Sequence, residues 1–317
     1  MITHSFDYTC PSSLEQACAL KSEDSVYIAG GTDIVPALKY GLLFPKLVIS
    51  LQNVPGLASI TIEGGNLVIG AMVGLEKLAR YTEHFPNLSG LNHAVRAVAS
   101  PQIRHIGTVG GNLLQEARCI FYNQTTAWRR GIEPCHKTGG SVCHQAPAKP
   151  QCVALYHSDL APAFLAADCL VQIYRDGNEQ QLPLETLLAA PSRVLGGGVL
   201  THIVLPDVEN LRQLHFRKHA VRGAIDFPLA NAALTVRACG TVRLIMGAMT
   251  PKPVTLEQTQ SELADSLKEE MPLAAQIYQT AAAEAKKKAR PIREATASPA
   301  VKQQAMVVVQ EVIRDLL

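Results

Sequence analysis

The chain has 317 residues, of which 47% are apolar and 18% charged, with a formal net charge of +2 at pH 7. This length accommodates two or three domains, and the small net charge gives no basis for binding nucleic acid or an anionic membrane. The N-terminal segment lacks the basic and apolar regions of a signal peptide, and no apolar run reaches the roughly 18 to 20 residues that span a bilayer. We therefore expect a cytoplasmic protein, in which clustered cysteines indicate metal more often than disulfides.

The first third of the chain alternates short strands with helices. Strands are predicted where β-branched apolar residues cluster, and helices where apolar residues recur at helical spacing. The predicted strands are 26–31, 47–54 and 66–73, and a further strand-like run with a glycine pair is 108–114. The predicted helices are 32–41, 74–85 and 91–100.

Regular patterns resume after a polar segment in the middle of the chain. Residues 157–177 predict a helix, a strand and a turn, and residues 200–207 predict another strand. Antiparallel strands are predicted next, and the pattern from residue 261 onward is helical. The change in pattern predicts an N-terminal domain over 1–210 and a C-terminal domain over 211–317.

The segment IAGGTDIVP, residues 28–36, ends a predicted strand and opens a helix. Glycines there permit positive φ angles and a close backbone approach, so that successive N–H groups face one concavity. Thr32 or Asp33 is placed to cap the helix, whose N-terminus also favours an anion. These features predict a phosphate or pyrophosphate site. The segment is neither a GxGxxG nor a P-loop motif, and a plain strand-to-helix turn is an equally good interpretation.

A second glycine pair lies in TVGGNL, residues 108–113, with Thr108 and Asn112 as flanking polar residues. Taken alone it is a weak signal, since glycines in a strand pattern commonly mark a bend or bulge. Seventy-six residues separate Thr32 from Thr108. The two motifs would therefore face one ligand only if the fold brings them together.

The order of these motifs resembles the flavoprotein subunits of the molybdenum hydroxylases, such as xanthine and carbon monoxide dehydrogenases. AGGTD is followed by TVGGNL, then by SDLAPAFLAADCLV (158–171), LTHIVLPD and FRKHAVRGAIDFPLANAAL (216–234). The resemblance implies an α+β fold. Its first part would be a vanillyl-alcohol-oxidase-type (PCMH-type) FAD-binding domain of two α/β subdomains. A small C-terminal domain of antiparallel sheet and helices would follow.

The resemblance also implies which residues bind FAD. The pyrophosphate would be wrapped by Ile28, Ala29, Gly30, Gly31, Thr32, Asp33 and Ile34. The flavin end would be bound near Thr108, Gly110, Gly111 and Asn112.

Three further residues complete the cofactor site that the resemblance implies. Asp159 would hydrogen-bond the polyol region of FAD, and Leu200 and Lys218 would lie beside the isoalloxazine. A lysine near the flavin N1 and C2 carbonyl stabilises the anionic reduced flavin, although without the family context a solvated strand lysine is the better interpretation. Arg222 and Asp226 are interpreted as a structural ion pair.

Residues 114–156 are an insertion, since TVGGNL runs almost directly into the SDLAP segment in most of these flavoproteins. The insertion carries four cysteines, 16, 8 and 9 positions apart: Cys119, Cys135, Cys143 and Cys152. So polar a segment cannot offset its ordering entropy with a hydrophobic core, so we expect a covalent or metal crosslink. Disulfides would suit an exported chain, zinc usually uses close pairs such as CxxC, and a [4Fe–4S] cluster takes four thiolates. Spacing alone leaves zinc and the cluster equally open.

The insertion itself resembles the one in flavoprotein (β) subunits of the 4-hydroxybenzoyl-CoA reductase type, which carry a [4Fe–4S] cluster in addition to FAD. The resemblance rests on GGNLLQEARCIFYNQTTAWRRG and the three later cysteines. It implies that all four cysteines are cluster ligands. His136, His144 and His157 are interpreted as solvated loop residues.

The implied function is electron transfer between FAD, the cluster and partner proteins. The chain offers no activated nucleophile and no acid/base pair in a recognisable setting, so no catalytic residue is predicted. The implied partners are a large molybdopterin-binding subunit and a small subunit with two [2Fe–2S] clusters, together a dimer of heterotrimers. A ferredoxin-like protein would donate or accept electrons.

The expected reaction of the complex is reductive dehydroxylation of 4-hydroxybenzoyl-CoA to benzoyl-CoA. The alternative is the same type of subunit in a hydroxylase that oxidises an aldehyde, a purine or an N-heterocycle. Two other classes of protein remain open: a stand-alone FAD oxidoreductase, and a scaffold whose insertion is a zinc-stabilised docking module.

Overall fold

The computed structural model describes residues 2, 4–223, 225–269 and 273–316. The strands are β1 Asp7–Thr9, β2 Ser25–Ile28, β3 Leu47–Ser50, β4 Ile60–Glu63, β5 Asn66–Gly70, β6 Leu170–Arg175, β7 Asn178–Pro183, β8 Val199–Leu205, β9 Leu211–His219, β10 Ala230–Arg237, β11 Val242–Gly247 and β12 Val254–Thr255. The helices are α1 Leu14–Ala19, α2 Ile34–Tyr40, α3 Leu75–Thr82, α4 Ser89–Arg96, α5 Pro101–Ile106, α6 Val109–Leu113, α7 Thr126–Arg129, α8 Leu160–Ala166, α9 Leu184–Ala189, α10 Pro191–Leu195, α11 Glu257–Lys268, α12 Ala275–Lys288, α13 Pro299–Ala305 and α14 Val308–Arg314.

The N-terminal sheet is small and parallel, with strand order β1-β3-β2. β3 is the central strand, and its apolar residues Val48 and Ile49 are buried. Helix α2 follows β2 and ends at Gly41, whose φ of 63° places it in the left-handed region that glycine adopts without strain. This sheet therefore presents the β2–α2 connection, with its glycine pair, at one edge.

The second sheet has five antiparallel strands in the order β4-β5-β8-β6-β7. Helices α3, α4, α6, α8 and α9 share its hydrophobic core. Every residue of α8 is buried, because α8 contacts α4 on one side and strands β10 and β11 on the other. The small and apolar composition of α8 follows from this position between two layers.

The third sheet is antiparallel, with strand order β12-β11-β10-β9. The residues of β10 are nearly all apolar and buried, since α8 and α14 both pack on this strand. Helices α11, α12 and α14 bury their apolar residues in the same core. The predicted antiparallel strands and helical C-terminal region are both confirmed.

The structure corrects the prediction at the second glycine motif. Residues 108–114 are predicted to be strand-like, but Val109–Leu113 form α6. The hydroxyl of Thr108 accepts a hydrogen bond from the Gly111 N–H at 3.1 Å and so caps the helix. In the described part of the chain, no helix is both long and apolar enough to cross a membrane.

Candidate cofactor site and cysteine cavity

A cavity of about 320 Å³ lies where the N-terminal sheet, the five-stranded sheet and the insertion meet. Ligand pockets in proteins are commonly of this size or larger. Its wall is formed by the β2–α2 connection, the residue after β5, the start of α6, the start of β8 and residues from the insertion. The predicted cofactor residues in this wall are Ala29, Gly30, Gly31, Thr32, Asp33, Ile34, Thr108, Gly110, Gly111 and Leu200. The fold thus brings together two glycine motifs that are distant in sequence.

The β2–α2 connection offers backbone donors to this cavity. A Cβ atom on Gly30 would collide with the carbonyl oxygen of Ile106, and Gly31 has a φ of 75°. Within the described residues, the N–H groups of residues 30–33 have no hydrogen-bond acceptor. Successive unsatisfied N–H groups in a concave loop form a site for an anion.

The α6 motif contributes to the cavity differently. Its first three N–H groups already donate to protein: Val109 to Val73, Gly110 to Ala71, and Gly111 to the Thr108 hydroxyl. A Cβ atom on Gly110 would lie 2.8 Å from the Ala71 Cβ atom. The α6 motif therefore contributes glycine backbone to the cavity wall. The N–H groups without a described acceptor belong to the β2–α2 connection.

Asp33 and Arg118 form an ion pair in the cavity wall. Asp33 occupies the N-cap position of α2, one of the two positions predicted, but its side chain makes no capping hydrogen bond. Its carboxylate instead accepts hydrogen bonds from Nη2 of Arg118 at 2.5 Å and from the N–H of Glu116 at 3.4 Å. The Arg118 guanidinium also lies 4.3 Å from the centre of the Phe227 ring. Arg118 belongs to the insertion, which therefore completes the cavity.

Four of the predicted cofactor residues do not line the cavity. Ile28 ends β2, where it pairs with Ser50 in the adjacent strand. The side-chain oxygen of Asn112 accepts a hydrogen bond from the Ser158 hydroxyl at 2.6 Å. Asp159 and Lys218 lie elsewhere, in contact with each other, so their roles beside the polyol and the isoalloxazine stay predictions.

Asp159 and Lys218 are the centre of a buried polar network. The Lys218 ammonium lies 2.7 Å from Oδ2 of Asp159 and also donates to the carbonyl oxygens of Ala97 and Asp226. Oδ1 of Asp159 accepts from the Asn231 amide at 2.9 Å. Burial raises the pKa of Asp159, and the Lys218 ammonium opposes that rise. These contacts are those of a structural ion pair. The predicted pair of Arg222 with Asp226 is also present.

One backbone bridge joins two residues close to the ends of the insertion, Arg118 and Leu155. The N–H of Arg118 donates to the carbonyl of Leu155 at 2.7 Å, and the N–H of Leu155 returns the bond at 3.0 Å. Beyond this neck, the Arg129 guanidinium donates to the Gly41 carbonyl at the end of α2. Gln145 exchanges hydrogen bonds with the backbone of Arg293. The insertion is thus attached to both the cofactor cavity and the C-terminal region.

The four cysteines of the insertion line a single small cavity. All four are free thiols, so the disulfide alternative is not realised. Cys135 Sγ accepts from the Thr138 hydroxyl at 3.7 Å, and Cys152 Sγ accepts from the Ala154 N–H at 3.4 Å. Burial raises the pKa of Cys119, and backbone N–H groups that point at its sulfur oppose the rise.

The cavity contains the four predicted ligands, but the structure does not show them in a metal-binding arrangement. Among the described residues, no group of three or more His, Cys, Asp or Glu side chains is arranged to hold a metal ion. The fold therefore brings the four predicted ligands together, while their role as cluster ligands stays a prediction.

Two of the three histidines near the cysteines fit the interpretation as loop residues. His136 and His144 have ring nitrogens 3.4 and 2.8 Å from the carbonyl oxygens of Lys149 and Glu133. His157 does not fit, because it is 4% exposed. Its Nε2 lies 2.9 Å from Glu294, whose carboxylate also pairs with the fully buried Lys302. This third histidine is part of the protein core.

Arg118 and Tyr122 were not predicted as cofactor residues, although both line the cofactor cavity. Tyr122 also lines the cysteine cavity, so one side chain is common to the two. The positions of Arg118 and Tyr122 beside Cys119 are the only available sequence signal, and that signal marks the insertion rather than the cofactor. Arg118 and Tyr122 reach the cavity wall because the fold places the insertion against the β2–α2 connection.

The fold thus places a cavity with unbonded backbone N–H groups between two sheets, an arrangement suited to an anionic group. The chain belongs to the family described as "FAD binding domain in molybdopterin dehydrogenase", whose sequence model matches residues 4–208. The chain is therefore an FAD-binding oxidoreductase component, and the predicted PCMH-type fold class is confirmed.

Two relatives and one solved structure show the extent of the similarity. The aldehyde oxidoreductase FAD-binding subunit PaoB of Escherichia coli (strain K12) is 28% identical over 258 residues, covering 75% of this chain and 79% of that protein. The 6-hydroxypseudooxynicotine dehydrogenase complex subunit alpha of Paenarthrobacter nicotinovorans is 26% identical, covering 83% of this chain and 79% of that protein. A chain of carbon monoxide dehydrogenase from Hydrogenophaga pseudoflava superposes with a TM-score of 0.76 at 19% identity, covering 99% of this chain and 98% of that one. This last likeness shows a shared fold.

Proposed function

We propose that this chain is the FAD-binding, electron-transferring subunit of a molybdenum hydroxylase complex that oxidises an aldehyde, a purine or an N-heterocycle. The observation that carries the proposal is the cavity lined together by residues 30–33, whose N–H groups have no acceptor among the described residues, by the α6 motif and by Leu200. The family assignment supports FAD as the ligand of this cavity. The relatives are named as subunits, which supports a multisubunit assembly.

The direction of the reaction that we propose is based on the relatives rather than on the insertion. The relatives described above are named as an aldehyde oxidoreductase and a dehydrogenase. These names favour oxidation of a substrate over reductive dehydroxylation of 4-hydroxybenzoyl-CoA, which we therefore do not retain. The substrate would bind in a large molybdopterin-binding partner, and a small partner with two [2Fe–2S] clusters would connect it to this chain in a dimer of heterotrimers.

The residues of this chain would hold and shield the cofactor. The N–H groups of residues 30–33 would bind the pyrophosphate, while Gly110 permits close approach of the α6 backbone. Leu200, at the start of β8, would cover an apolar part of the cofactor. Bound FAD supplies transfer of one or two electrons, and the protein supplies binding and orientation.

We also propose that the cysteine cavity holds a [4Fe–4S] cluster, with Cys119, Cys135, Cys143 and Cys152 as ligands. The support is that four free thiols line one cavity and that two of their sulfurs, those of Cys135 and Cys152, accept hydrogen bonds from protein donors. Such hydrogen bonds stabilise thiolate sulfur and tune the potential of a bound cluster. A cluster exchanges single electrons, which would connect FAD to a ferredoxin-like partner.

The cluster is tested by metal and sulfide analysis after anaerobic purification. About four irons and four sulfides per chain are expected, together with one FAD, and Cys135→Ser is expected to lose the iron and keep the flavin. Cys239→Ser changes an exposed cysteine outside the cavity and is expected to keep both. Zinc in place of iron, or full iron in Cys135→Ser, would refute the cluster.

The enzymatic role is tested on the complex purified through a tag on this chain from its native cells. Molybdenum, two partner subunits and oxidation of an aldehyde, purine or N-heterocycle with an artificial electron acceptor are expected. The isolated chain with FAD is expected to show no turnover. Turnover by the isolated chain would identify a stand-alone oxidoreductase, and reduction of 4-hydroxybenzoyl-CoA by the complex would restore the rejected reaction.

A further inference from the structure

We propose that Arg118, at the neck of the insertion, is a direct ligand of the cofactor's phosphate groups. The insertion would then be part of the FAD site as well as the carrier of the four cysteines. The inference is independent of what the cysteine cavity holds, because it rests on contacts in the cofactor cavity.

The first observation is an unused donor. Arg118 lines the cavity, and its Nη2 is engaged by Asp33. Its Nε, in contrast, is buried and has no hydrogen-bond partner in the structure. The Nε has no surface open to the cavity, but the side chain is 29% exposed and its Nη1 donates to no described residue. A phosphate oxygen in the cavity would accept a charge-assisted hydrogen bond from Nη1.

The second observation is the charge of the cavity. Among the described lining residues, Arg118 is the one cation, and it is accompanied by the carboxylates Asp33 and Glu116. The pyrophosphate of FAD is anionic, so a cavity with two carboxylates requires a compensating positive charge. Glu116 is paired with Lys137, which lies outside the lining. Arg118 therefore provides the positive charge in the lining that also contains the free N–H groups of residues 30–33.

The third observation is that the guanidinium is held in place before any ligand binds. Phe227 lies against its face at 4.3 Å, and Asp33 binds one edge. The backbone of Arg118 is fixed by its bridge to Leu155. Arginine is suited to phosphate because its planar donors keep a fixed geometry, and a preorganised donor loses little entropy on binding.

A rival explanation is that Arg118 only neutralises Asp33. A double-mutant cycle with Arg118→Met and Asp33→Asn separates the two explanations, with titration of FAD, ADP and riboflavin into each purified variant. ADP contains the pyrophosphate without the flavin, and riboflavin contains the flavin without phosphate. Arg130→Met, which removes an exposed cation from the same insertion, is the matched control.

Arg118→Met is expected to weaken FAD and ADP binding by about ten- to hundredfold, the range for a hydrogen bond to a charged group. Riboflavin binding should change less than about twofold, and Arg130→Met should change none of the three. The double variant should stay weak for ADP, because Asp33→Asn does not restore the missing donor.

Recovery of ADP binding in the double variant would overturn the proposal in favour of simple neutralisation. An equal loss for riboflavin would also overturn it, because the effect would then lie in the shape of the cavity. If Arg118→Met does not fold, Arg118→Lys keeps the charge without the planar guanidinium donors and should show the same selective loss for FAD and ADP. Unchanged FAD and ADP binding in Arg118→Lys would contradict a role for these donors.

Discussion

Two ion pairs of this molecule each join an aspartate of a sequence motif to a cation far away in the chain. Asp33 pairs with Arg118 in the cavity wall, and Asp159 pairs with Lys218 in the core. Lys218 donates three hydrogen bonds to protein acceptors, so its ammonium has no capacity left. Arg118, in contrast, engages only Nη2, and its Nη1 has no described partner in a side chain that is 29% exposed.

This difference in unused hydrogen-bond donors distinguishes groups that bind a ligand from groups that stabilise the fold. A saturated pair contributes to the stability of the fold, because every donor is already used. A pair with an unused donor beside a cavity is organised for a ligand. The same contrast separates residues 30–33, whose N–H groups are free, from the α6 motif, whose first N–H groups are satisfied.

The largest effect is expected for Lys218→Met, which tests the saturated pair. Removal of the ammonium leaves the buried Asp159 carboxylate without its cation, and breaking a buried pair costs about 3–5 kcal/mol of unfolding free energy. Urea denaturation measures this loss, and FAD titration should show an almost unchanged dissociation constant. Lys268→Met, at an exposed helix position, is the control. If stability is kept and FAD binding weakens tenfold, Lys218 lies beside the flavin as its sequence motif suggests.

A somewhat smaller effect is expected for Glu294→Gln, at a second saturated site. Burial alone would raise the pKa of Glu294, but His157 and Lys302 together outweigh burial and lower it from its ordinary value of 4.5. The variant leaves the fully buried Lys302 without a counter-charge, at a cost of roughly 3 kcal/mol.

The pH dependence of that effect follows from the lowered pKa of Glu294. Its stabilisation is complete above the unfolded-state pKa and is lost as the pH falls through the folded-state pKa. The difference in unfolding free energy between wild type and Glu294→Gln should therefore be constant near neutral pH and shrink below about pH 4.5. Glu179→Gln, at an exposed strand position, should show no such difference. A difference in unfolding free energy between wild type and Glu294→Gln that persists at about pH 3 would contradict this interpretation.

The smallest effect on stability, and the most specific effect on the cofactor, is expected for Gly30→Ala. The new methyl group would collide with the Ile106 carbonyl, and such overpacking costs about 1–3 kcal/mol. Because the collision displaces the loop that carries the free N–H groups, FAD binding should weaken about five- to 150-fold. Gly223→Ala, where a Cβ meets open space, should leave FAD binding unchanged. Equal FAD affinities in both variants would remove residues 30–33 from the site.

Much of the fold was predictable because its signals are local. Short β-branched runs predicted β2, β3, β5 and β8, although each predicted strand extended past the C-terminal end of the observed one. The helix α6 was missed because two β-branched residues followed by a glycine pair resemble a strand that ends in a bend. Its helical state depends on the Thr108 hydroxyl as an N-cap, which a single threonine does not reveal.

The cofactor site was only partly predictable because it depends on contacts that are distant in sequence. The two glycine motifs and Leu200 were placed through their order along the chain, which the resemblance supplied. Arg118 and Tyr122 carry no motif of their own, and their position depends on how the insertion folds back onto α2. Lys218, in contrast, lies in a motif that predicted a position beside the isoalloxazine, while its observed contacts are with buried protein groups.

The neck of the insertion has a consequence for how this protein could have evolved. Because Arg118 and Leu155 are joined by two backbone hydrogen bonds, a segment between them can be gained or lost in one genetic event without moving the flanking elements. The entropic cost of such a closed loop grows only slowly with its length. This segment, however, ends in the wall of the cofactor cavity and carries Tyr122 between two cavities. A lineage that acquired it would have changed its cofactor site and its outer surface together, so selection on a new redox partner would also have acted on flavin binding.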